Sequence, residues 1–260
     1  MPEAAAIVRP CNPLRNGLQE SQIFDSLERP VAGSAFGFTL YTQFRRPDAG
    51  LVARFDGAPT GNVGDALGRS AAMDHRIKPV APGMRLAGTA LTIKTRPVDN
   101  LLIWKALEIA QPGDVLVICT GDYLGHSVFG DLTARVAVAR GLAGVVTDGA
   151  VRDVDGIVEA GLPVFAAAVT PNSPQKDGPG EINVPVACGG QVVEPGDILV
   201  GDGDGVVVIP ARDAERAAVE FERVRSYEEE RMRQIVSGEH IPDWVDRLLA
   251  ERGAEVRATR

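Results

Sequence analysis

Between residues 84 and 169 the chain alternates short apolar runs with segments in which apolar residues recur at helical spacing. This alternation restricts the fold more than any other feature. The strand-like runs are "MRLAGTALTIKTRP", "DVLVICT", "LAGVVTDG" and "LPVFAAAV". The segments between them, "DNLLIWKALEIAQPGD", "DLTARVAVARG" and "VDGIVEAG", are typical of helices. Strands and helices that alternate in this way build βαβ units. The sequence therefore predicts an α/β fold with a central, partly parallel sheet.

The stretches on either side of this alternation divide the chain into three predicted parts. Residues 1–50 mix proline, glycine and aromatic residues without a clear period, which indicates an N-terminal extension that wraps the body or a neighbouring subunit. Residues 51–210 form the α/β core. The core ends in a β layer, because "VPVACGGQVVEPGDILVGDGDGVVVIP" holds short strand-like runs separated by glycine and Pro-Gly turns. Residues 211–260 form a C-terminal helical segment.

The C-terminal segment opens with a long predicted helix. From Pro210 to about Val236 the chain is rich in alanine, arginine and glutamate, with no glycine or further proline. Proline suits the first position of a helix, and Gly238 suits its end. The apolar residues of this stretch make only a ragged stripe, so we expect the helix to pack on a neighbouring subunit.

Charge and apolar content argue against several classes of partner. The formal net charge is −8, from 27 lysines and arginines against 35 acidic residues, whereas a nucleic-acid or anionic-membrane binder needs a basic face. No apolar stretch reaches the roughly 18 residues of a membrane span, and the first residues lack the layout of a secretory signal. We therefore predict a cytoplasmic protein that binds neither nucleic acid nor membrane.

Arg152 and Asp153 stand side by side after an apolar run and a glycine turn, in "TDGAVRDVDG". The carboxyl end of a parallel strand is where open α/β sheets bind ligands, and a guanidinium can hold a carboxylate with two hydrogen bonds. Asp153 could cap the following helix or hold a divalent ion. In the simpler alternative, Asp153 is only a helix cap and Arg152 is a solvated cation.

A second polar group follows the preceding strand. The glycine-rich loop in "GDYLGHSVFGDLTARVAVARG" leads to Asp131 at a predicted helix start. If the strands at 114–119 and 143–148 are adjacent, both loops emerge at one edge of the sheet. Asp131 then converges with the Arg-Asp pair, and the free amides of Leu132 and Thr133 face the same space. Two carboxylates, a guanidinium and a helix N-terminus predict a site for a metal-bound anion.

Histidine, cysteine and glycine-rich motifs give weaker signals. His75, His126 and His240 show no metal-ligand spacing. The three cysteines are widely spaced and form no CxxC pair, so they indicate neither disulfides nor a zinc site. The motif "GDGDGVV" leads into a strand and not a helix, which argues against a dinucleotide-binding loop or an EF-hand.

Two stretches, "GDLTARVAVARGLAGVVTDGAVRDVDGI" and "VEPGDILVGDGDGVVVIP", resemble the RraA-like family. This family includes class II pyruvate aldolases that act on 4-hydroxy-4-methyl-2-oxoglutarate and 4-carboxy-4-hydroxy-2-oxoadipate. The resemblance covers roughly residues 51–240. It implies an α/β fold of the swivelling β/β/α type, a layered domain with a central partly parallel sheet and a long C-terminal helix.

The resemblance also implies roles for the polar residues identified above. Asp153 matches the aspartate that ligates Mg²⁺ or Mn²⁺, largely through waters. Arg152 matches the arginine that binds pyruvate and stabilises its enolate. Asp131 matches the acid that holds metal-bound or catalytic water, and the amides of Leu132 and Thr133 would receive the substrate carboxylate.

The same resemblance also implies a quaternary structure. Members of the family form trimers and hexamers with sites at subunit interfaces, so a homotrimer or homohexamer is expected. A glutamate from the C-terminal helix of an adjacent subunit belongs to such sites. The stretch "YEEERMRQIVSGE" offers Glu228 and Glu229 for this role, and the sequence does not decide between them.

Three functional hypotheses follow. The first is a metal-dependent lyase that cleaves a 4-hydroxy-2-oxo acid to pyruvate and a second oxo acid, with oxaloacetate decarboxylation as a side activity. The second is a non-catalytic regulator that binds and inhibits ribonuclease E; such regulators commonly lack the metal aspartate and the long C-terminal helix. The third is a related lyase or decarboxylase whose substrate is not an aldol.

A lysine Schiff base is disfavoured as the mechanism of the lyase, because the four lysines lie in helix, loop or alternating-strand contexts: Lys78, Lys94, Lys105 and Lys176.

Overall fold

The structure is a computed structural model that describes residues 37–257. Residues 1–36, which make up most of the predicted N-terminal extension, lie outside the described part. The strands of the described part are β1 (Phe38–Leu40), β2 (Lys78–Pro79), β3 (Leu86–Thr95), β4 (Asp114–Cys119), β5 (Ser127–Phe129), β6 (Gly144–Val151), β7 (Val164–Val169), β8 (Gly180–Ile182), β9 (Val186–Cys188), β10 (Gln191–Val193), β11 (Ile198–Asp202) and β12 (Gly205–Ile209). Its α-helices are α1 (Ala49–Ala53), α2 (Thr60–Ala66), α3 (Leu101–Ile109), α4 (Asp131–Ala139), α5 (Val154–Ala160), α6 (Ala214–Ser237) and α7 (Trp244–Glu251).

A ten-stranded sheet organises these elements. Its main path runs β1-β8-β3-β4-β6-β7-β2, and β3, β4, β6 and β7 are parallel neighbours. The outer edge of β3 is shared, because β11 pairs with residues 86–89 and β8 with residues 93–95, both antiparallel. The predicted α/β fold with a partly parallel sheet is confirmed. Residues 38–40, within the predicted extension, form an edge strand that pairs in parallel with β8.

The two faces of the central strands are covered differently. On one face, Leu116 and Ile118 of β4 pack in a buried cluster with residues of α3, α4 and α5. On the other face, Val115 and Val117 of the same strand pack with the β9–β10 hairpin. Alternate residues of a strand point to opposite faces, so a continuous apolar run is what a strand covered on both sides requires. The helices, the sheet and the hairpin give the layered β/β/α architecture.

Helix α6 has fully buried side chains only in its first two turns. Its buried residues end at Phe221, while Tyr227, Met232 and Val236 are exposed. Gly238 ends the helix with a φ of 103°, as the sequence predicts. The start differs from the prediction: Pro210 has an extended backbone (φ −57°, ψ 133°), and a 3₁₀ turn precedes Ala214. Packing of this helix on a neighbouring subunit stays a prediction.

Within residues 37–257, no helix combines the length and the apolar character that crossing a membrane would require.

Asp202, at the end of β11, holds the start of α2 from 142 residues away along the chain. Its carboxylate accepts hydrogen bonds from the Thr60 amide (3.0 Å), the Thr60 hydroxyl (2.6 Å) and the Asp204 amide (2.9 Å). Burial disfavours the charged form, but these hydrogen bonds outweigh it, and the pKa of Asp202 lies below its usual value.

Asp202→Asn should lower the free energy of unfolding by about 1–3 kcal/mol at pH 7, because charged acceptors make the stronger hydrogen bonds. A carboxylate with a lowered folded-state pKa stabilises the protein above its unfolded pKa of about 3.9 and loses that effect as the pH falls. The difference between wild type and variant in urea unfolding should therefore shrink between pH 7 and pH 3.

Asp197 provides a matched control for this titration. Burial, opposed by hydrogen bonds from the amides of Glu194 and Ala211, raises its pKa. A carboxylate with a raised folded-state pKa stabilises the protein most at low pH, so the cost of Asp197→Asn should not shrink on acidification. If both variants lose their effect together at pH 3, the assignment of the pH dependence to Asp202 is wrong.

Candidate active site

The candidate site lies at the carboxyl end of the parallel strands. Strands β4 and β6 are parallel neighbours, as the sequence hypothesis requires, with Val115 opposite Gly144. Strand β6 is longer than predicted and continues to Val151, so Arg152 follows it directly. The amide of Arg152 donates to the carbonyl of Phe129 at 3.0 Å, which joins the end of β6 to the loop before α4. Both loops therefore meet at one edge of the sheet.

Arg152 is held in place at two points of its side chain. Its Nη1 donates to Ser173 Oγ at 2.6 Å, and its Nε lies 3.2 Å from Asp153 Oδ2. The side chain is about one-third exposed (34%). A guanidinium carries five N–H donors, and these contacts engage two of its three nitrogens. Arg152 is therefore an oriented cation with donors to spare, and not the freely solvated side chain of the simpler alternative.

Asp153 occupies the N-cap position of α5, but its side chain makes no capping hydrogen bond. Its backbone has φ 56° and ψ 45°, in the left-handed region that non-glycine residues rarely adopt. The side chain is half exposed (47%) and its carboxylate faces Arg152. An unusual backbone conformation of this kind costs free energy and concentrates at functional sites. The simpler interpretation of Asp153 as a helix cap is therefore wrong, and its carboxylate is available to a ligand.

The start of α4 forms the adjoining wall. Thr133 fixes this turn, because its hydroxyl donates to the Gly130 carbonyl (2.8 Å) and accepts from the Gly130 amide (3.0 Å). The first hydrogen bond of the helical repeat runs from the Ala134 amide to the Gly130 carbonyl at 2.9 Å. The amides of Leu132 and Thr133 precede it and have no intrahelical acceptor. They can bind an anion.

Gly130 leaves room for the Arg-Asp pair. A Cβ placed on Gly130 would lie 2.8 Å from Asp153 Oδ2 and 3.1 Å from Arg152 Cγ. The backbone of Gly130 is extended (φ −165°, ψ −167°), so its conformation alone does not demand glycine. The missing side chain is what allows the pair to lie against the start of α4.

Asp131 lies next to this group but is directed toward α5. Its carboxylate pairs with Arg135 Nε at 2.8 Å and lies close to Gly156, with Asp131 Cγ 2.7 Å from the position that a Cβ of Gly156 would take. Gly156 is in the first turn of α5, which Asp153 opens. Asp131 and Asp153 are therefore both at the first turn of α5, although Asp131 is not among the residues that line the cleft in a single described chain.

Arg152, Asp153, Leu132 and Thr133 line one cleft of about 170 Å³. A second wall of the cleft is formed by side chains that the sequence analysis did not identify as site residues: Asn100, Trp104, Ser173 and Lys176. The sequence carries no local signal for them, since this wall comes from a helix start after β3 and a loop after β7, two strands that β4 and β6 separate. The cleft therefore combines a guanidinium and a carboxylate with an amide, an indole and an ammonium group.

The two glutamates predicted from the resemblance lie away from this cleft within the described chain. Glu228 Oε2 accepts from Asn62 Nδ2 at 2.6 Å, so Glu228 ties α6 to α2 of its own chain. Glu229 is largely exposed and lies 3.7 Å from Arg225 Nε. Neither lines the cleft. Their contribution to a neighbouring chain stays a prediction, and Glu229 is the one with the weaker contact in its own chain.

His126, Cys119 and Cys188 are poor candidates for catalytic residues at this edge of the sheet. His126 Nδ1 lies 3.0 Å from the Tyr123 hydroxyl, its ring stacks on Tyr123, and it is not among the lining residues. Burial and the nearby Asp148 raise the pKa of Cys119 to about 11, and burial raises the pKa of Cys188 well above its usual value. Both cysteines are therefore neutral thiols at pH 7 and poor nucleophiles.

The donor set of the cleft fits Mg²⁺ or Mn²⁺. In the part of the chain that the structure describes, no three His, Cys, Asp or Glu side chains cluster closely enough to enclose a metal ion. Mg²⁺ usually binds through one or two carboxylates and retains several waters. Asp153, half exposed and free of a capping role, offers a carboxylate of that kind, with Asp131 beside the same helix turn.

Similarity to known proteins agrees with this fold. The sequence model of the family described as RraA-like, Aldolase/RraA, matches residues 60–208, more than half of the chain. A Halalkalibacterium halodurans protein provisionally named 4-hydroxy-4-methyl-2-oxoglutarate aldolase is 36% identical over 185 residues, 71% of this chain and 88% of that protein. A Thermus thermophilus protein named 4-hydroxy-4-methyl-2-oxoglutarate aldolase is 35% identical over 153 residues, 59% of this chain and 93% of its own length.

A solved structure of similar fold is described in terms of a different function. Streptomyces coelicolor RraAS2, an unusual member of the RNase ES inhibitor RraA protein family, shares 32% identity at a TM-score of 0.64. The match covers 72% of this chain and all of that one. The fold and the cleft define an RraA-like α/β protein. The chain belongs to the RraA-like family, which confirms the resemblance drawn from its motifs.

Proposed function

We propose that this protein is a divalent-metal-dependent aldolase that cleaves a 4-hydroxy-2-oxo acid to pyruvate and a second oxo acid. The observation that carries the proposal is the arrangement around Arg152. Its guanidinium is oriented by Ser173 and Asp153 and lies in one cleft with the first turn of α4. Relatives that are named as aldolases, one of them provisionally, support the same reaction class.

The residues of the cleft suit the charge that this cleavage develops. When the bond between C3 and C4 breaks, its electron pair stays on the pyruvyl fragment as an enolate, while the 4-hydroxyl loses a proton and becomes a carbonyl. The amides of Leu132 and Thr133 would bind the C1 carboxylate, and Arg152 would stabilise the enolate oxygen. A bound Mg²⁺ or Mn²⁺, held by Asp153 and waters, would supply Lewis-acid stabilisation of the same charge.

Proton transfer would use water rather than a side-chain base. No histidine lines the cleft in the described chain. A water polarised by Asp131 or Asp153 would take the proton of the 4-hydroxyl and later return a proton to C3 of the enolate, giving the methyl group of pyruvate. Oxaloacetate decarboxylation passes through the same enolate, with carbon dioxide as the departing fragment, so we propose it as a side activity.

The proposed enzyme is a homotrimer or homohexamer. The exposed apolar side chains on the distal part of α6, such as Tyr227 and Val236, support packing against another copy. A glutamate of this helix, Glu228 or Glu229, would then complete the site of the neighbour.

A coupled assay for pyruvate tests the proposal. We expect release of pyruvate from 4-hydroxy-4-methyl-2-oxoglutarate and from oxaloacetate in the presence of Mg²⁺, and loss of release with a chelator, restored by added ion. Asp153→Ala should abolish turnover and weaken Mn²⁺ binding measured by calorimetry or paramagnetic resonance. Turnover that continues undiminished in chelator would show that the metal assignment is wrong.

The regulator hypothesis has one observation in its favour, the similarity to RraAS2, which belongs to a family described as inhibitors of RNase ES. It predicts direct binding of the protein to ribonuclease E and lower ribonuclease activity, with no turnover of any oxo acid. Binding measured by surface plasmon resonance, alongside the pyruvate assay, separates the two functions. We favour the enzyme because Arg152 and Asp153 are present and oriented.

A further inference from the structure

The second wall of the cleft contains a buried acceptor with no partner among the described residues. Asn100 is 6% exposed and lines the cleft. Its Nδ2 donates to the carbonyl of Val128 at 3.3 Å, while no described residue donates to its Oδ1. Because the Val128 carbonyl needs a donor, the side-chain amide cannot be flipped to relieve Oδ1. An unpaired buried acceptor is costly, so Oδ1 is expected to accept a hydrogen bond from a ligand.

Asn100 is not used as a helix cap, although it has the N-cap position of α3. The neighbouring Asp99 takes that role, because its Oδ1 accepts from the Leu101 amide at 2.9 Å. Asp99 Oδ2 accepts from the amides of Asp177 (2.6 Å) and Gly178 (2.8 Å). The buried Asp99 thus fixes the loop after β7 to the start of α3, and Asn100 Oδ1 remains without a donor among the described residues.

Lys176, in the loop after β7, adds a cation to this wall. Lys176 lines the cleft and is exposed, and it makes no ion pair among the described residues. Hydrogen bonds hold the loop backbone: the Gln175 amide donates to the Val98 carbonyl at 2.6 Å, and the Asn100 amide donates to the Gln175 carbonyl at 3.0 Å. The backbone at Lys176 is therefore fixed relative to Asn100, and both residues line the same cleft.

Asn100 Oδ1 and the Lys176 ammonium group suit different chemical groups of a ligand. Asn100 Oδ1 needs a donor, which a carboxylate or a keto oxygen cannot supply and a hydroxyl can. Lys176 attracts a carboxylate. Trp104, 38% exposed at the rim, adds an apolar surface. We propose that this wall recognises a 2-hydroxy-carboxylate group, with the hydroxyl on Asn100 and the carboxylate on Lys176. Asn100 and Lys176 then bind the half of the substrate that lies beyond the cleaved bond.

This inference rests on the proposed function, because it places the pyruvyl half at Arg152 and the hydroxyl-bearing half at Asn100. Asn100 is a positioning residue for the hydroxyl that loses its proton in the cleavage. Oxaloacetate has no hydroxyl at the corresponding carbon. The two substrates of the pyruvate assay therefore depend differently on Asn100, and a merely structural role would not separate them.

The test compares both substrates in the wild type and in Asn100→Ala. We expect kcat/KM for 4-hydroxy-4-methyl-2-oxoglutarate to fall roughly tenfold, in keeping with one lost hydrogen bond, and kcat/KM for oxaloacetate to change by less than about twofold. Asn172→Ala is the matched control: its Nδ2 also donates to a backbone carbonyl, Gly125 at 2.8 Å, but it does not line the cleft. This control should leave the ratio of the two activities unchanged.

An equal loss for both substrates, or no loss for either, would overturn the assignment of Asn100. A second measurement does not need turnover. By calorimetry, the wild type should bind 2-hydroxy-2-methylbutanedioate about tenfold more tightly than 2-methylbutanedioate, and Asn100→Ala should remove this preference. Lys176→Met should weaken binding of both acids. A wild type that releases no pyruvate contradicts the proposed function alone, whereas equal binding of the two acids by the wild type contradicts the proposed wall.

Discussion

Arg152→Ala will lower kcat/KM for pyruvate release by about a hundredfold to a thousandfold, the usual cost of removing one preorganised donor from a developing oxyanion. The reason is the orientation of the guanidinium, whose Nη1 is bonded to Ser173 and whose Nε lies against Asp153. Arg152→Lys should be nearly as damaging, because an ammonium is a point charge and cannot hold Ser173, Asp153 and the substrate at once. Steady-state kinetics with both proposed substrates measures the effect.

A matched arginine controls for the loss of charge. Arg76 lies outside the cleft and pairs with Asp74 (3.0 Å) and Asp122 (3.5 Å) on the surface. Arg76→Ala also removes one positive charge, and we expect its kcat/KM to stay close to that of the wild type. Thermal unfolding should confirm that both variants are folded. If Arg152→Ala keeps wild-type turnover, the cleft around this residue is not the site of the reaction.

Much of the fold is predictable because the information is local. Apolar spacing within about ten residues predicts whether each segment is a helix or a strand, for β3, α3, β4, α4, β6, α5 and β7. The order of these segments then predicts a partly parallel sheet. Arg152 and Asp153 are predictable for the same reason. They come directly after a buried strand, at the edge where parallel strands end.

The remaining features depend on contacts between distant parts of the chain. The division of one edge of β3 between β8 and β11 brings together residues about 85 to 115 positions apart, and no local pattern encodes it. Asn100 and Lys176 are ordinary loop and helix-start residues in sequence. They become parts of a cleft only because the buried carboxylate of Asp99 binds the backbone of the loop after β7.

Side-chain direction is equally hidden in the sequence. The spacing predicts that Asp131 faces the Arg-Asp pair, yet its carboxylate pairs with Arg135, four residues along the same helix, and lies against Gly156. A local pattern indicates which residues are near a helix start, but the choice of rotamer depends on the neighbouring helix. In its proposed role of holding water, Asp131 therefore acts from beside the cleft, because its side chain does not line the cleft wall.

Gly130→Ala will remove most of the activity while the protein remains folded. Its extended backbone suits alanine, so no backbone strain is expected. The new Cβ would lie 2.8 Å from Asp153 Oδ2, 3.1 Å from Arg152 Cγ and 3.5 Å from Arg152 Nε. These atoms belong to side chains that can move aside, and a displacement of about 1 Å in a catalytic group can cost roughly a hundredfold in rate. We expect a fall of about that size in kcat.

Gly61→Ala is the matched control for this substitution. A Cβ on Gly61 would meet nothing within 4 Å, and the residue is in α2. Alanine there should raise the free energy of unfolding by about 0.5–1 kcal/mol and leave kcat unchanged. Weaker Mn²⁺ binding by Gly130→Ala, measured by calorimetry, would locate the damage at Asp153. Full activity in Gly130→Ala would mean that the contact between the start of α4 and the Arg-Asp pair has no role in the reaction.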